Sequence, residues 1–576
     1  MRILKKYIPL FSWLPDYNRA YLKGDISAGL TVGVMLIPQG MAYAMLAGLP
    51  PIYGLYASTV PLVLYAIFGT SRQLAVGPVA MVALLIATGV GHLAEPGTEQ
   101  FIMLAVLLAL MVGMMQFLLG VFRLGFLVNF LSHPVISGFT SAAALIIGLS
   151  QLKHLLGLSI PRSNYIHEIL INAMADFDQI HLPTLLLGVG GIATILMMKK
   201  FSKSIPGPLV AVILGVLTVS WFGLDAQGMK IVGEVPHGLP AFSLPPIDGA
   251  HIKDLFPIAL TIALVGFMES IAVAKAIQAK HKDYDVDPNQ ELIGLGLANI
   301  GGAFFKAFPT TGGFSRTAVN DQAGAKTGMA AIISAVLIIL TLLFLTPLFY
   351  YLPNAILASV IMVAVFGLID FKEAVYLWKT DRRDFLMMVA TFVATLTFGI
   401  EQGIGVGVVL SLAMVIYRSA YPHVAVLGKM PGMAVYRNIN RFPQVKERDD
   451  ILIVRFDAEL FFANTGYLMD ILERLIMTKK DLKLIILNAN AINSLDSSAT
   501  HVLSDFITEL RADGIDFYMS GVKGPVRDIM TKNGLMEQIG KDHFFMYVEE
   551  AVAYFDDLNS DREVQASAHA TQTNLD

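Results

Sequence analysis

Leu30-Thr31-Val32-Gly33-Val34-Met35-Leu36-Ile37-Pro38-Gln39-Gly40-Met41-Ala42-Tyr43-Ala44, LTVGVMLIPQGMAYA, has a counterpart 230 residues further along, LTIALVGFMESIAVA at Leu260 to Ala274. Leu30/Leu260, Thr31/Thr261, Ala42/Ala272 and Ala44/Ala274 are identical, and Gln39 stands opposite Glu269. The next shared pair, Gly54-Leu55 against Gly294-Leu295, is offset by 240, with the extra residues in the polar loop around His281 to Pro288. Both copies are apolar all round, as helices must be when they face lipid on one side and protein on the other. The chain therefore repeats itself within a membrane.

Composition agrees. Of 576 residues, 55% are hydrophobic and only 15% charged, and mean hydropathy is +0.63. Ile26 to Leu46, Phe101 to Leu119, Leu185 to Met198 and Ala330 to Leu348 are long and nearly free of charge, and a helix needs roughly 20 apolar residues to cross a bilayer. Barrel strands would instead alternate apolar and polar residues over short segments. The fold class is a polytopic α-helical membrane protein with about fourteen membrane segments between Asp25 and Arg418.

Charge placement sets the orientation. With the N-terminus in the cytoplasm, even-numbered spans end at Arg72, Arg123, Lys199/Lys200/Lys203, Lys275/Lys280/Lys282, Lys326, Arg382/Arg383 and Arg418. These are the basic clusters, whereas the outer connections carry acids such as Glu95, Glu99, Asp176 and Asp178, the asymmetry expected of cytoplasmic against external loops. Seven spans separate the two copies of the opening stretch. Seven is odd, so the second half runs inverted, a transporter signature that puts the substrate site near the midplane where the halves meet.

The expected organisation is a cytoplasmic N-terminal segment (1–24) lying near the membrane surface, then a transport domain (25–418) with repeats at about 25–222 and 253–418. A Pro/Gly-marked linker (419–432), a soluble α/β domain (433–558) and a polar, disordered tail (559–576) follow. The N-terminus is basic but lacks the apolar core and cleavage site of a removed signal. The soluble domain is read from strand-like runs, ILIVRF at Ile451 to Phe456 and LKLIIL at Leu482 to Leu487, alternating with helical stretches.

Several chemistries are excluded. There is no cysteine, hence no disulfide, thiolate ligand or thiol nucleophile. Net charge is −4, with no basic surface for nucleic acid. No cluster of His and carboxylates has a metal spacing, so neither a metal nor another cofactor is expected. His133, before Pro134, is read as a helix-end packing or capping residue.

Two segments break at corresponding places. Ser71 to Ala80, SRQLAVGPVA, reads as extended, with Pro78 opening a short helix. Pro309 to Phe314, PTTGGF, is extended and Gly-rich, with a helix starting at Ser315, which can cap it. Each helix start leaves amides without partners and carries roughly +0.5 charge. Two starts facing one another at mid-membrane would trap an anion. Arg316 adds a full charge and a planar fork of donors, and burying it alone costs at least ~2.5 kcal/mol. Either it attracts the substrate, or it is locked in an internal pair with Glu269 or Asp321. Glu269, inside an apolar helix, is a candidate for proton exchange or a permanently ionised partner of Arg316. Gln39 and Tyr43, one turn apart, offer polar contacts to a ligand or to a neighbouring helix.

These residues resemble a known family. IPQGMAYA at Ile37 to Ala44, LPPIYGLY at Leu49 to Tyr56, GTSR at Gly69 to Arg72 followed by VGP at Val76 to Pro78, NQEL at Asn289 to Leu292 and GFSRT at Gly313 to Thr317 look like the sulfate permease (SulP, solute carrier 26) family, in order over nearly the whole chain. NSLDSSA at Asn493 to Ala499 resembles the family's STAS domain. The resemblance implies a seven-plus-seven inverted repeat, a UraA-like arrangement in which a mobile core domain moves against a gate domain, a homodimer, and a cytoplasmic STAS domain that could engage a protein partner. It implies an anion site between the third and tenth spans using Gln39, Tyr43, Gly77, Val79, Ala80, Phe314, Ser315 and Arg316, with Glu269 in the place of the proton-coupling carboxylate. Sodium-coupled bicarbonate members resemble one another in having Asp there and Thr one turn later, whereas this chain has Glu269 and Val273. Ser497 occupies the place of a serine phosphorylated in anti-sigma antagonists, although a plain cap or turn explains it more simply. The expectation is a secondary anion transporter, not an enzyme, in a bacterial inner membrane, performing proton-coupled symport of sulfate or a small carboxylate by alternating access. The alternatives are sodium-coupled bicarbonate symport and an uncoupled channel or exchanger.

Overall fold

The computed structural model describes residues 7–126, 132–158, 160, 166–201, 206–245 and 249–573, with side chains up to 560 apart from 400 and 401. Lys203, six N-terminal residues and the last three of the expected tail lie outside the described residues. The chain divides into two compact units, Met1–Ser411 and Leu412–Asp576.

The helices of the described chain include α1 (Arg19–Ala47), α2 (Ile52–Phe68), α3 (Ala80–Gly91), α4 (Glu99–Val121), α5 (His133–Leu156), α6 (Leu182–Phe201), α7 (Gly207–Phe222), α8 (Gly249–Gln278), α9 (Pro288–Ala303), α10 (Phe314–Gln322), α11 (Met329–Phe349), α12 (Asn354–Phe366), α13 (Arg382–Phe398) and α14 (Ile400–Ala420), with a further short apolar helix, Ile166–Ala175, between α5 and α6. Eight helices among the described residues are long and apolar enough to cross a membrane, and α10 is polar, carrying Arg316, Asn320, Asp321 and Gln322. Starts are locally encoded. Asn18 Oδ1 accepts the amides of Ala20 and Tyr21 at the head of α1, and Asp287 Oδ1 accepts those of Asn289 and Gln290 ahead of α9, where Pro288 takes the first helical turn.

The repeat is structural. The starts of α1 and α8 lie 230 residues apart, and so do those of α4 and α11. α1 packs on α11 as α8 packs on α4; α5 packs on α13 as α12 packs on α6; α3 touches α8 as α10 touches α1. Exchanging the halves maps every one of these pairs onto another, as a pseudo-two-fold axis requires. Strand β1 (Val76–Gly77), ahead of α3, pairs antiparallel with β2 (Thr311–Gly312), ahead of α10, so the two breaks meet head-on.

Small residues let the halves interlock. A Cβ on Gly24 or Gly29 would meet the carbonyl of Gly324 or Ala330 at 2.4 and 2.6 Å, and one on Gly113 or Gly296 would meet backbone of the opposite helix at 2.6 Å. The tightest approach is between α1 and α2, where a Cβ on Gly54 would stand 1.9 Å from the Gly40 carbonyl oxygen. Gly54→Ala is expected to force these helices apart at a cost of about 3 kcal/mol or more, read as a lowered unfolding temperature of the detergent-solubilised protein. An unchanged temperature would contradict this packing.

Two buried carboxylates tie one half to the other. Glu291 on α9 is fully buried and accepts from Tyr65 Oη, Thr70 N and Thr70 Oγ1, each at 2.6 Å, and from Ser71 N at 3.0 Å. Asp25 on α1 accepts from Lys326 N, Thr327 N and Thr327 Oγ1 at 2.6 to 3.1 Å. Neither carboxylate has a cationic side chain within ion-pair distance among the described residues, so hydrogen bonds alone satisfy them. Glu291→Ala strands several buried donors and is expected to destabilise the first unit by about 3–5 kcal/mol, while Tyr65→Phe, removing one donor, costs about 1.5–2 kcal/mol. Thermal unfolding of the two variants checks the ranking.

The second unit is a six-stranded mixed sheet of order β4-β3-β5-β6-β7-β8: β3 (Val424–Lys429), β4 (Tyr436–Asn438), β5 (Ile451–Phe456), β6 (Leu484–Asn488), β7 (Asp516–Ser520) and β8 (Phe544–Phe545). β5 to β8 run parallel and β3 is antiparallel to both its neighbours. Period-two alternation sends Leu452, Val454, Ile485, Leu487 and Phe517 to one core and Ile451, Ile453, Leu484, Ile486 and Tyr518 to the other. Three expectations change here. Val424–Lys429, inside the expected linker, is a central strand because its ladder to β5 outweighs the flanking Gly and Pro. The expected tail continues as helix to Thr573, since it holds no Gly or Pro to stop it. The cap of α16 (Ser497–Ala512; α15 is Thr465–Met477) is Asp496, whose Oδ1 accepts the Ala499 amide at 2.7 Å; Ser497 is an exposed first-turn residue and not the cap.

Candidate anion site

α3 and α10 are too short to cross. At 1.5 Å per residue, 12 and 9 residues reach about 18 and 14 Å of a ~30 Å core. Extended backbone supplies the rest, and it is tied down on all sides. Thr311 Oγ1 donates to Gly266 O at 2.6 Å and lies 2.7 Å from Ser270 Oγ, which accepts the Gly312 amide at 2.8 Å. Asn299 brackets Thr310, accepting its amide at 2.7 Å and donating to its carbonyl at 3.0 Å, and Gln116 Oε1 holds the Asn299 amide. From the other repeat, Ala75 N donates to Thr317 Oγ1 and the Gly313 amide to Ala75 O.

Both helix starts are uncapped. α10 begins at Phe314, one residue before the expected Ser315, with Gly313 as N-cap and no side chain on its amides. α3 begins at Ala80, with Val79 as N-cap and again no side-chain cap; Pro78 stands before the cap and not in the first turn. The extended Gly-rich backbone reaches the helix without a polar side chain to turn it, so Ser315 is displaced from the cap and lies exposed beside the half-exposed Phe314. Gly77, with φ +152°, gives the turn a conformation that L side chains rarely adopt.

Arg316 is 2% exposed. Its Nη1 donates to Pro78 O at 2.7 Å, tying the second break to the first, while its Nε and Nη2 have no partner. The guanidinium lies so flat on Gly313 that a Cβ there would stand 2.8 Å from Nη2. Glu269 Oε2 and Gln39 Oε1 are also buried without partners. Tyr43 and Glu269 lie close enough to Arg316 to act on its charge. The structure therefore brings Tyr43, Gly77, Val79, Ala80, Phe314, Arg316 and Glu269 to the meeting of the two breaks, with Ser315 at its exposed rim and Gln39 buried on α1 one turn before Tyr43.

The internal-pair reading of Arg316 is corrected in part. Asp321 is taken by Lys280 at 3.4 Å and by His281, and no carboxylate lies within 4.0 Å of Arg316 among the described residues. A buried cation with two idle donors, set beside two helix starts without side-chain caps, is a binding arrangement for an oxyanion. His133 begins α5 and meets Glu373 at 3.2 Å. No group of three metal-ligating side chains exists among the described residues. Sequence reading missed Ser270, Asn299 and Gln116, polar residues in apolar helices, and Thr311 in the break itself, because their partners are 11 to 183 positions away.

The sulfate permease family model matches residues 22–391, across both breaks, and the STAS domain model matches residues 442–551. The chain belongs to the sulfate permease family. It is similar to Sulfate transporter 4.1, chloroplastic, of Arabidopsis thaliana, 44% identical over 563 residues, covering 94% of this chain and 82% of that one. A probable sulfate transporter of Mycobacterium tuberculosis is 35% identical over 94% of this chain and 96% of its own. Among solved structures, the murine Solute Carrier 26 family member A9 anion transporter in its inward-facing state superimposes with TM-score 0.89 at 26% identity, over 96% of this chain and 94% of that one. The transmembrane domain of a cyanobacterium bicarbonate transporter, BicA, shares the fold at TM-score 0.60 and 24% identity, over 69% of this chain and 98% of its own. This sulfate permease family chain is thus a multi-pass membrane transport protein of an anion-carrying family, with a C-terminal STAS domain, and not an enzyme.

Proposed function

We propose that the protein carries sulfate together with protons by alternating access. The observation that carries this reading is the set of idle polar atoms at the breaks: Arg316 Nε and Nη2, Gln39 Oε1 and Glu269 Oε2, all buried and unpartnered. A dianion seated on the amides of Ala80 and Phe314 would take the two free Arg316 donors, and a proton on Glu269 would supply the donor that Gln39 or the anion lacks. Anion and proton then neutralise a site that is costly to leave charged in a membrane. Coupling follows if the loaded and empty site differ in their preference for outward and inward states.

Sulfate is preferred among small anions because relatives at 35–44% identity over most of the chain are named sulfate transporters; a small carboxylate fits the same chemistry. The proton is preferred over sodium because Glu269 is followed one turn later by Val273, which offers no oxygen to a cation. The reading includes a core of α1–α4 and α8–α11 moving against α5–α7 and α12–α14, a homodimer in the bacterial inner membrane, and a cytoplasmic STAS domain available to a protein partner, with Ser497 exposed at a helix start for regulation.

The test is uptake of labelled sulfate, bicarbonate and a dicarboxylate into proteoliposomes under separately imposed proton and sodium gradients. Sulfate accumulation driven by an inward proton gradient and indifferent to sodium is expected. Bicarbonate accumulation requiring sodium would overturn the proposal in favour of the alternative symport, and large anion flux indifferent to both gradients would overturn it in favour of a channel or exchanger.

A further inference from the structure

A cluster of basic side chains lies in the second unit. His423, Arg437, Asn438, Arg441, Phe442, Arg455 and Asp457 line an open cavity of about 580 Å³, within the ~300–1,000 Å³ range of small-ligand sites. Its floor is ordered. Arg455 Nε and Nη2 donate to the two oxygens of Asp457 at 2.6 and 2.8 Å, and His423 Nδ1 stands 2.8 Å from Asp457 Oδ2. Burial alone would raise the Asp457 carboxyl, but the hydrogen bonds from Arg455 and His423 more than offset it and hold it below the usual carboxylate range. The single acid is thereby fully engaged.

Arg437 and Arg441 are left over. Both are exposed, and neither has a carboxylate within 4.0 Å among the described residues. Two unpaired guanidinium forks over a neutralised floor match the tetrahedral oxygens of a phosphate group, each able to bind two of them. In the same unit Arg448 is shared between Asp450 and Asp556 at 2.7 to 2.9 Å, and Arg474, Arg511 and Arg527 donate to backbone carbonyls. His423 follows the last residue of α14 by three positions, at most about 11 Å of chain.

We propose that this cavity binds a phosphate-bearing anion, through Arg437 and Arg441 with Arg455 and His423 behind them. The phosphate could come from an anionic lipid headgroup or from a soluble phosphate, and the experiment separates the two. Full-length protein is placed in phosphatidylcholine nanodiscs and titrated with inorganic pyrophosphate by calorimetry, beside the R437A/R441A double variant. In parallel, protein is extracted from nanodiscs containing one-fifth phosphatidylglycerol and retained lipid is counted by native mass spectrometry. Pyrophosphate binding weakened tenfold or more in the double variant supports the site with a soluble source. Retained phosphatidylglycerol reduced at least tenfold in the variant, without pyrophosphate binding, supports it with a lipid source. Binding or retention equal in the two proteins, or absent from both, overturns it. Sulfate uptake and unfolding temperature of the variant, expected to be unchanged because both side chains are exposed, show that the protein remains folded. The outcome is independent of which anion is transported.

Discussion

Arg316→Ala is expected to abolish sulfate uptake while leaving the empty protein as stable as before, or more so. Two idle donors on a buried guanidinium would each give a bound dianion a charge-assisted hydrogen bond of about 1.5 kcal/mol or more, so removing both weakens binding by about 100-fold at least. Stability should not follow, since the side chain contributes one hydrogen bond to Pro78 O against the cost of an unpaired buried charge. Sulfate should therefore raise the unfolding temperature of the wild type and not of the variant. Arg316→Lys keeps the charge but cannot hold Pro78 O and fork an oxyanion together, and a loss of tenfold or more is expected there too. A variant that unfolds early yet still binds sulfate would show that Arg316 is a structural pin.

Glu269→Gln is expected to separate anion movement from the proton. Glutamine keeps the shape and hydrogen-bonding ability of the protonated acid but cannot take up or release a proton. Uptake driven by a pH gradient should fall to the level seen without one, a loss of tenfold or more, while sulfate-for-sulfate exchange across equal pH persists. Exchange lost with uptake would place Glu269 in binding alone; uptake unaltered in its response to pH would remove it from coupling. Glu269 Oε2 is placed for this role, buried without a partner on the helix that also supplies Ser270 to the second break.

Much of this site could be read before any coordinates. Gly77, Pro78, Gly312 and Gly313 announced extended backbone inside apolar helices, and Arg316 was conspicuous as a full charge there. These are local signals: backbone that needs special residues, and a charge whose surroundings are apolar. What escaped notice was long-range. Glu291 reads as one acid near a loop, and only the fold brings Thr70, 221 positions away, onto its oxygen. Asp321 sits five residues from Arg316 and looked like its partner, but the helix turns it toward Lys280 and His281. The helix start fell at Phe314 rather than Ser315 because the β1–β2 pairing ends at Gly312 and leaves Gly313 to make the turn. Val424–Lys429 became a strand for a similar reason, its partners on β5 being some thirty positions away.

Proton movement evoked by sulfate distinguishes coupled transport from every alternative. Proteoliposomes holding a pH-sensitive dye, with no initial gradient and no sodium, are given external sulfate. The account predicts acidification of the interior in step with sulfate entry, absent in both Glu269→Gln and Arg316→Ala. Sulfate entering the wild-type vesicles with no change in internal pH would contradict it.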